Sequence, residues 1–400
     1  MPSLHILADE NIPHVEAAFG GLGTVERFDG RHLKPAAVRA ADVLLVRSVT
    51  AVGPDLLDGR SVQFVGSATI GTDHIDQAYL AERGIAFAHA PASNADSVAD
   101  YIIAALLVLA RREQVPLQEK TVGIVGCGNI GGRLARRLPA LGLSVLRNDP
   151  PLADAAEEEG RAHDFVSFET ICREADVVTL HVPLTTDGPY PTHHLVDADV
   201  LQALSPGTWL LNASRGAVVD NRALLAALRD GRVGAAALDV WEGEPSPTPE
   251  LIRAVDVATP HIAGYAYDGK VRGTAMLYEA LCKQLGVEPA WAGTETIQPA
   301  SKDALQCSPP DPRLPTTEWR YHLAVQGYDL PADDAALRDL LDRPSEARAD
   351  GFKRLRAQYR QRRELQQHRV QRAAVPTEHE RAVIPSPGAK FGVGRLRSCF

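Results

Sequence analysis

The sequence predicts an α/β fold organised around a dinucleotide-binding unit, and three observations predict it. Thr121 to Asp149 reads as strand, turn, helix and strand: a β-branched run to Val125, the pattern Gly126-x-Gly128-x-x-Gly131, a helix-like stretch to Leu141, a stop at Gly142 and an apolar run from Leu143 to Leu146. Short apolar runs of the kind buried in parallel sheets recur on both sides of it, alternating with helix-like segments. Each of the four runs after it ends in polar or ionisable residues, at the strand ends where ligands of open α/β sheets bind.

The glycine pattern is the most informative of these. Gly126 permits the tight turn, Gly128 lets a pyrophosphate approach the backbone, and Gly131 lets the helix lie close on the sheet with its N-terminus toward the anion. Asn129 and Ile130 complete this Rossmann-type loop. Asp149 follows eighteen residues after Gly131 and ends the second strand. A carboxylate there accepts hydrogen bonds from an adenosine ribose and repels the extra phosphate of NADP, so NAD is the expected cofactor. Pro139 is expected to bend the last turn of the helix.

Composition narrows the class. Four hundred residues suggest two or three domains, and 45% hydrophobic content is ample for buried cores. A net charge of -9 argues against nucleic acid or an anionic membrane as the main partner, while leaving room for a basic pocket that holds a small anion. Cys127, Cys172, Cys282, Cys307 and Cys399 are scattered, odd in number and without metal-ligand spacing, so they read as reduced thiols with no metal site. Met1 to Asn11 turns acidic too early for a signal peptide, and the longest apolar run, near Tyr101 to Ala110, is too short to span a bilayer. The cytoplasm is the expected compartment.

Taken in order, Leu4 to Ala8 opens the chain as a strand ending in Asp9-Glu10-Asn11, and Val43 to Val46, Phe64 to Ala68 and Ile85 to Ala88 follow as buried strands of a first small α/β unit. The loops after two of them, Arg47 to Thr50 and Thr69 to His74, are candidates for holding an anionic substrate. Ala95 to Arg112 reads as an apolar helix leading into the dinucleotide unit, and Asp154 to Gly160 as a solvated surface insertion. Then Val177 to Leu180 ends in His181-Val182-Pro183, Trp209 to Asn212 in Ala213-Ser214-Arg215, Ala235 to Leu238 in Asp239 to Pro245, and Val255 to Thr259 in Pro260-His261. Parallel topology would gather Arg215, Asp239, Glu244 and His261 along one crevice.

Those residue types fit the oxidation of a secondary alcohol. A base must take the hydroxyl proton as hydride leaves carbon, and histidine titrates near neutral pH, so His261 is the expected base. A carboxylate on its other ring nitrogen fixes the tautomer and stabilises the imidazolium. Glu244 is the expected orienter, with Glu242 close enough to compete and spacing alone unable to choose. Arg215 is placed to grip a carboxylate bidentately, which points to a 2-hydroxy acid. Singly, a histidine after a strand is more often a packed or surface residue and an isolated Arg or Glu a solvated charge; it is the combination that carries the reading.

GIVGCGNIG, HVPLT, LLNASRGAVVD, LDVWEGEP and TPHIAGY together resemble the D-isomer-specific 2-hydroxyacid dehydrogenase family over most of residues 1 to 290. ILADENIP, VRSVT, GSATIGTDHID, DPP, DGPYPTHHL and HIAGYAYDGKVRGT resemble one branch of it, whose substrate is 4-phospho-D-erythronate. The resemblance implies NAD-dependent oxidation of that acid, a step of pyridoxal 5'-phosphate biosynthesis, in a cytoplasmic homodimer. It implies Arg215, Glu244 and His261 as catalytic residues, and Ser48, Thr69 and Tyr265 as substrate residues. Asp149, Val182, Ala213, Ser214, Arg215, Asp239 and Gly264 match NAD positions. Val182 stands where relatives often have threonine, so any contact there comes from backbone or apolar packing; Ala213 replaces a residue that is sometimes cysteine. Rival readings are another dehydrogenase of the family, acting for example on 3-phosphoglycerate, and a non-catalytic NAD-sensing scaffold.

The resemblance also implies a domain plan: a flavodoxin-like α/β substrate domain from residues 1-94 and 266-290, the NAD-binding domain at 95-265, and a small α+β dimerisation domain at 291-372. Thr274 to Leu285 is the expected returning helix, with substrate in a cleft between domains and hinges near Ala95 and Gly264 to Gly273. Beyond residue 290, Pro299 to Pro315 reads as a linker, Trp319 to Val325 as a strand and Asp333 to Arg343 as a helix. The basic segment Phe352 to Arg372 reads as a solvated helix face, the sharper expectation being that Arg360 and Arg363 serve the substrate phosphate in a partner's cleft. Residues 373-400 read as a disordered tail.

Overall fold

Every residue of β3 (Val43–Val46) is buried, and its side chains divide by parity: Val43 and Leu45 join one apolar cluster, Leu44 and Val46 another. A strand covered on both faces belongs inside a parallel sheet. β1 (Leu4–Asp9), β2 (Gly23–Phe28), β4 (Phe64–Ser67) and β5 (Ala86–His89) complete that sheet in the order β2-β1-β3-β4-β5, all parallel. β2 is an edge strand whose polar and apolar residues are mixed, so a search for apolar runs passes over it. One face of the sheet is covered by the helix Tyr267–Leu285, through Leu277, Tyr278, Leu281 and Cys282. That helix starts at Tyr267, ahead of the Thr274 expected, and so includes Lys270.

The computed structural model describes residues 3–291, 293, 305–307, 316–372 and 394–395. Of residues 305–307, 316, 317, 319, 369–372 and 394–395 it describes the backbone only. The chain divides into two compact units, Met1–Asp96 with Tyr265–Gln298 and Ser97–Gly264 with Pro299–Phe400.

The second unit carries β6 (Thr121–Val125), β7 (Ser144–Asn148), β8 (Val177–Leu180), β9 (Thr208–Asn212), β10 (Val233–Leu238) and β11 (Val257–Ala258). They pair in the order β11-β10-β9-β8-β6-β7, all parallel, and a bridge between Arg147 and Phe165 continues the sheet beyond β7. Strand order therefore reverses at β6. The loop after β6 lies at this switch point, the place where doubly wound sheets take their ligands.

Local signals explain the helix ends. The helix Gly131–Arg137 gives way at Pro139 to a narrow 3-10 turn, Leu138–Leu141, closed by Gly142 at φ +85°. Asp154 to Gly160 is not an insertion: most of it belongs to the helix Pro150–Glu158, capped by Asp149 and burying Ala156, with its acidic residues turned outward. No helix among the described residues is long and apolar enough to cross a membrane.

Residues 316–372 pack on the β11 edge of the second unit. Leu337, Leu340 and Phe352 share a cluster with Leu251, Ile252, Val255 and Ala258. Asp334 Oδ1 accepts from the Ala258 N–H at 2.7 Å, and Arg338 donates to the carbonyls of Ile252 and Val255 at 2.6 and 2.8 Å. The strand expected at Trp319 to Val325 is a helix, Thr316–Gly327. Its aromatic and β-branched composition suggests a strand, but Ala324 and Tyr328, four apart, are both fully buried, and that spacing is helical. A helix covers Leu330–Arg338 and another Ser345–Ala357. Arg360 forms a bidentate pair with Asp333 of its own chain at 2.6 and 3.2 Å. Arg362 is not on a solvated face; it is buried, stacked 3.8 Å from the Tyr328 ring centre. A small third sheet joins β12 (Leu305–Cys307), β13 (Arg369–Arg372) and β14 (Gly394–Arg395). The remaining residues of the expected linker, and of the tail at 373-400, lie outside those described.

Candidate active site

The three glycines after β6 do three different things. Gly126 has φ +88°, and a Cβ there would come within 2.7 Å of the His181 carbonyl oxygen and 2.9 Å of Val182 Cγ1, so the turn is closed from both sides. A Cβ on Gly131 would collide with the Gly126 carbonyl, which holds the helix start against the turn. At Gly128 a Cβ would meet nothing within 4 Å. There the backbone is open. Asn129 is exposed and its carbonyl accepts from Arg133 at 2.7 Å, and Ile130 leads directly into the helix.

Asp149 ties this loop to the next strand. Its Oδ2 accepts from the Cys127 N–H at 2.7 Å and its Oδ1 from the Leu152 N–H at 3.1 Å, so one carboxylate fixes the glycine loop and caps the following helix. Each oxygen keeps a further lone pair for a ribose hydroxyl. An open backbone at Gly128 beside an anchored acid fits a dinucleotide. Burial, and then the charge of Asp149, push the Cys127 thiol up to about 11, so it stays protonated there.

The ends of β9, β10 and β11 are neighbours in the sheet, and they carry Arg215, Glu244 and His261. His261 Nδ1 lies 2.9 Å from Glu244 Oε2, and Glu244 Oε1 accepts from the Trp241 N–H at 3.0 Å. With a carboxylate as partner, Nδ1 is the protonated nitrogen and the lone pair sits on Nε2, which makes no hydrogen bond among the described residues. Burial pushes the Glu244 carboxyl up, but the hydrogen bond and charge of His261, the charge of Arg356 and the Trp241 N–H outweigh it and hold it below the ordinary carboxylate value. Glu242 is engaged elsewhere: Oε1 lies 2.7 Å from His194 Nε2, and Oε2 accepts from the Asn221 N–H at 2.9 Å.

His261 itself adopts φ +58°, a left-handed backbone unusual for a residue with a side chain. Asp239 is fully buried and holds the turn in place. Its Oδ1 accepts from the Ile262 N–H and its Oδ2 from the Ala263 N–H, each at 2.8 Å. The Thr259 hydroxyl lies 2.7 Å from Asp239 Oδ1 and 2.9 Å from the Tyr101 hydroxyl. Having one proton, Thr259 gives it to the carboxylate and accepts from Tyr101. Buried Arg362 adds a bond to the Ala263 carbonyl at 3.0 Å. Gly264, half-buried, is the last residue of the first segment of this unit.

Arg215 is positioned by Asn212, whose Oδ1 accepts from the N–H and hydroxyl of Ser214 and whose Nδ2 donates to the Arg215 carbonyl at 2.9 Å. Ala213 and Ser214 are buried in this turn. A Cβ on Gly216 would collide with the Trp241 carbonyl, so the residue after Arg215 rests directly on the segment leading to Glu244. The Arg215 guanidinium donates to the Ser214 carbonyl at 2.8 Å.

Ser48, Thr69 and Tyr265 belong to the other unit. Ser48 is exposed in the loop after β3, and Thr69 and Tyr265 are half-buried. The Thr69 hydroxyl is 2.8 Å from that of Ser67, which lies 3.0 Å from His74 Nε2. Burial holds His74 below the ordinary histidine value, so it is neutral there. Lys270 beside Tyr265 escapes sequence reasoning, because nothing in Tyr-Asp-Gly-Lys-Val-Arg-Gly announces a lysine turned inward. The described residues contain no cluster of His, Cys, Asp and Glu able to hold a metal.

Residues 107–263 match the model of the D-isomer specific 2-hydroxyacid dehydrogenase NAD binding domain. The chain is 67% identical over 383 residues to an erythronate-4-phosphate dehydrogenase of Salinibacter ruber, covering 96% of this chain and 98% of that one. It is 47% identical over 369 residues to the enzyme of that name from Pseudomonas aeruginosa, covering 92% and 95% respectively. Among solved structures, a D-lactate dehydrogenase from Aquifex aeolicus complexed with NAD and lactic acid aligns with a TM-score of 0.58 at 25% identity, over 70% of this chain and 95% of that one.

Proposed function

We infer the reaction from one premise: the chain belongs to the D-isomer-specific 2-hydroxyacid dehydrogenases, within the branch of the erythronate-4-phosphate dehydrogenases. Its reaction is the NAD-dependent oxidation of 4-phospho-D-erythronate to (R)-3-hydroxy-2-oxo-4-phosphobutanoate, a step in the formation of pyridoxal 5'-phosphate. The observation that carries the chemistry is the His261–Glu244 pair, 2.9 Å apart at the carboxyl end of the NAD-binding sheet.

His261 Nε2 takes the proton of the C2 hydroxyl as the C2 hydrogen departs with its electron pair. Bound NAD supplies the acceptor for that hydride. Glu244 stabilises the imidazolium and keeps the ring from turning. Arg215 grips the substrate carboxylate and polarises the carbonyl as it forms. The loop from Gly126 through Asn129 and Ile130 to Gly131 receives the pyrophosphate, and Asp149 the adenosine ribose. Val182, Ala213, Ser214, Asp239 and Gly264 complete the cofactor's surroundings. Ser48, Thr69 and Tyr265 contact the substrate from the first unit, whose flavodoxin-like strand order supports a substrate-binding role. The protein works as a cytoplasmic homodimer, with the C-terminal residues providing the association surface.

Turnover of 4-phospho-D-erythronate with NAD tests this, with a 2-oxo acid supplied as alternative acceptor in case reduced cofactor stays bound. The phosphorylated erythronate should be preferred over 3-phosphoglycerate by at least about 100-fold in kcat/KM, a difference of ~2.7 kcal/mol in transition-state binding. Equal turnover of the two acids, or of neither, would overturn the assignment.

A further inference from the structure

Lys270 lies near the start of the helix Tyr267–Leu285, half-buried, with its Nζ 5.4 Å from the centre of the Tyr265 ring. Arg47, in the loop after β3, brings its Cζ to 6.0 Å from the same ring. Both belong to the first unit. Among the described residues no carboxylate pairs with either, whereas Arg27 of the same unit is paired with Glu16. The face of a phenol ring attracts a cation only weakly at such distances. Burial, with the neighbouring guanidinium second, brings the Lys270 ammonium down to about 8. Two like charges held together, one of them partly desolvated, are costly in the free protein and become favourable once an anion joins them.

We propose that Arg47 and Lys270, held around Tyr265, form the subsite for the substrate's phosphate and thereby select phosphorylated over unphosphorylated 2-hydroxy acids. The assignment rests on the substrate reading above, which gives the carboxylate to Arg215 and leaves a dianionic phosphate to be neutralised. The side chains suit that division. A guanidinium offers two parallel donors to two phosphate oxygens, and an ammonium offers a compact charge to the third. Among the described residues, Arg47 is the charged neighbour that acts on Lys270.

The test compares the NAD-bound wild type with Lys270→Met and Arg47→Met, using 4-phospho-D-erythronate and D-erythronate. Each substitution should lower the ratio of the two kcat/KM values by roughly 10- to 100-fold, mainly through KM for the phosphorylated acid, as expected for one charge-assisted hydrogen bond. An equal loss on both substrates, or no loss on either, overturns the subsite. Titration with inorganic phosphate separates this outcome from a failure of the substrate reading. If the wild type does not favour the phosphorylated acid, weaker phosphate binding by both variants still supports the subsite, and unchanged binding overturns it. A pH series adds a readout that packing damage would not produce. Deprotonation removes the positive charge, so wild-type kcat/KM should fall as pH rises through about 8, while Lys270→Arg, charged throughout, should not show that limb. Parallel profiles would reject the role of Lys270.

Discussion

Glu242 and Glu244 stand two residues apart, yet only Glu244 meets His261, while Glu242 holds His194 and the Asn221 N–H. The intervening Gly243, at φ +72°, lets the chain turn so that the two carboxylates diverge. Sequence spacing could not separate them, because the choice depends on a backbone conformation rather than on residue type. The distinction has a kinetic consequence. Glu244→Gln keeps the shape but removes the charge that stabilises the imidazolium, and should lower kcat about 100-fold or more while leaving the dissociation constant of NAD within a factor of three. Glu242→Gln should cost less than tenfold in kcat. Steady-state rates and NAD titrations on both variants decide the matter, and equal losses would assign the two carboxylates equal roles.

At the scale of elements, continuous β-branched runs were the most legible part of the sequence. Val43 to Val46, Thr121 to Val125 and Val177 to Leu180 are strands with those limits, because residues buried on both faces leave little choice of composition. Legibility failed where exposure or tertiary packing decides. β2 is an edge strand with polar positions, and Thr316–Gly327 is helical in spite of its aromatic content. The glycine loop was legible because each of its glycines answers a separate steric demand, and two substitutions should expose that division. Gly131→Ala drives a methyl group into the Gly126 carbonyl and should destabilise the protein by about 1–3 kcal/mol. Gly128→Ala points into open space and should melt within about 2 °C of wild type, yet bind NAD at least tenfold more weakly. Melting curves and NAD titrations together test this; a Gly128→Ala protein with unaltered NAD binding would place the pyrophosphate elsewhere.

For the whole molecule, the chain crosses between its two units three times, at Asp96–Ser97, at Gly264–Tyr265 and at Gln298–Pro299. The second crossing falls just after His261, so Arg215, Glu244 and His261 belong to one unit, and Ser48, Thr69 and Tyr265 to the other. The allocation of residues 316–372 could not be read from sequence, because the polar contacts that tie them to the second unit come from single side chains, Asp334, Arg338 and Arg362, beside the apolar cluster of Leu337, Leu340 and Phe352. Removing them should therefore destabilise the NAD-binding unit itself. A chain ending at residue 300 leaves the Ala258 N–H without its carboxylate and exposes Leu251, Ile252 and Val255. It should melt on the order of 10 °C lower, or fail to stay in solution. A truncated protein that melts with the full chain would show these residues to be dispensable to the NAD-binding unit.

Cys127 sits inside the glycine loop proposed to receive the pyrophosphate, with a thiol held up at about 11. Burial and the charge of Asp149 favour the thiol there, and the thiolate is the form that peroxide and alkylating reagents attack. Peroxide is therefore expected to act slowly on this sulfur, although it stands beside the most sterically constrained turn of the loop.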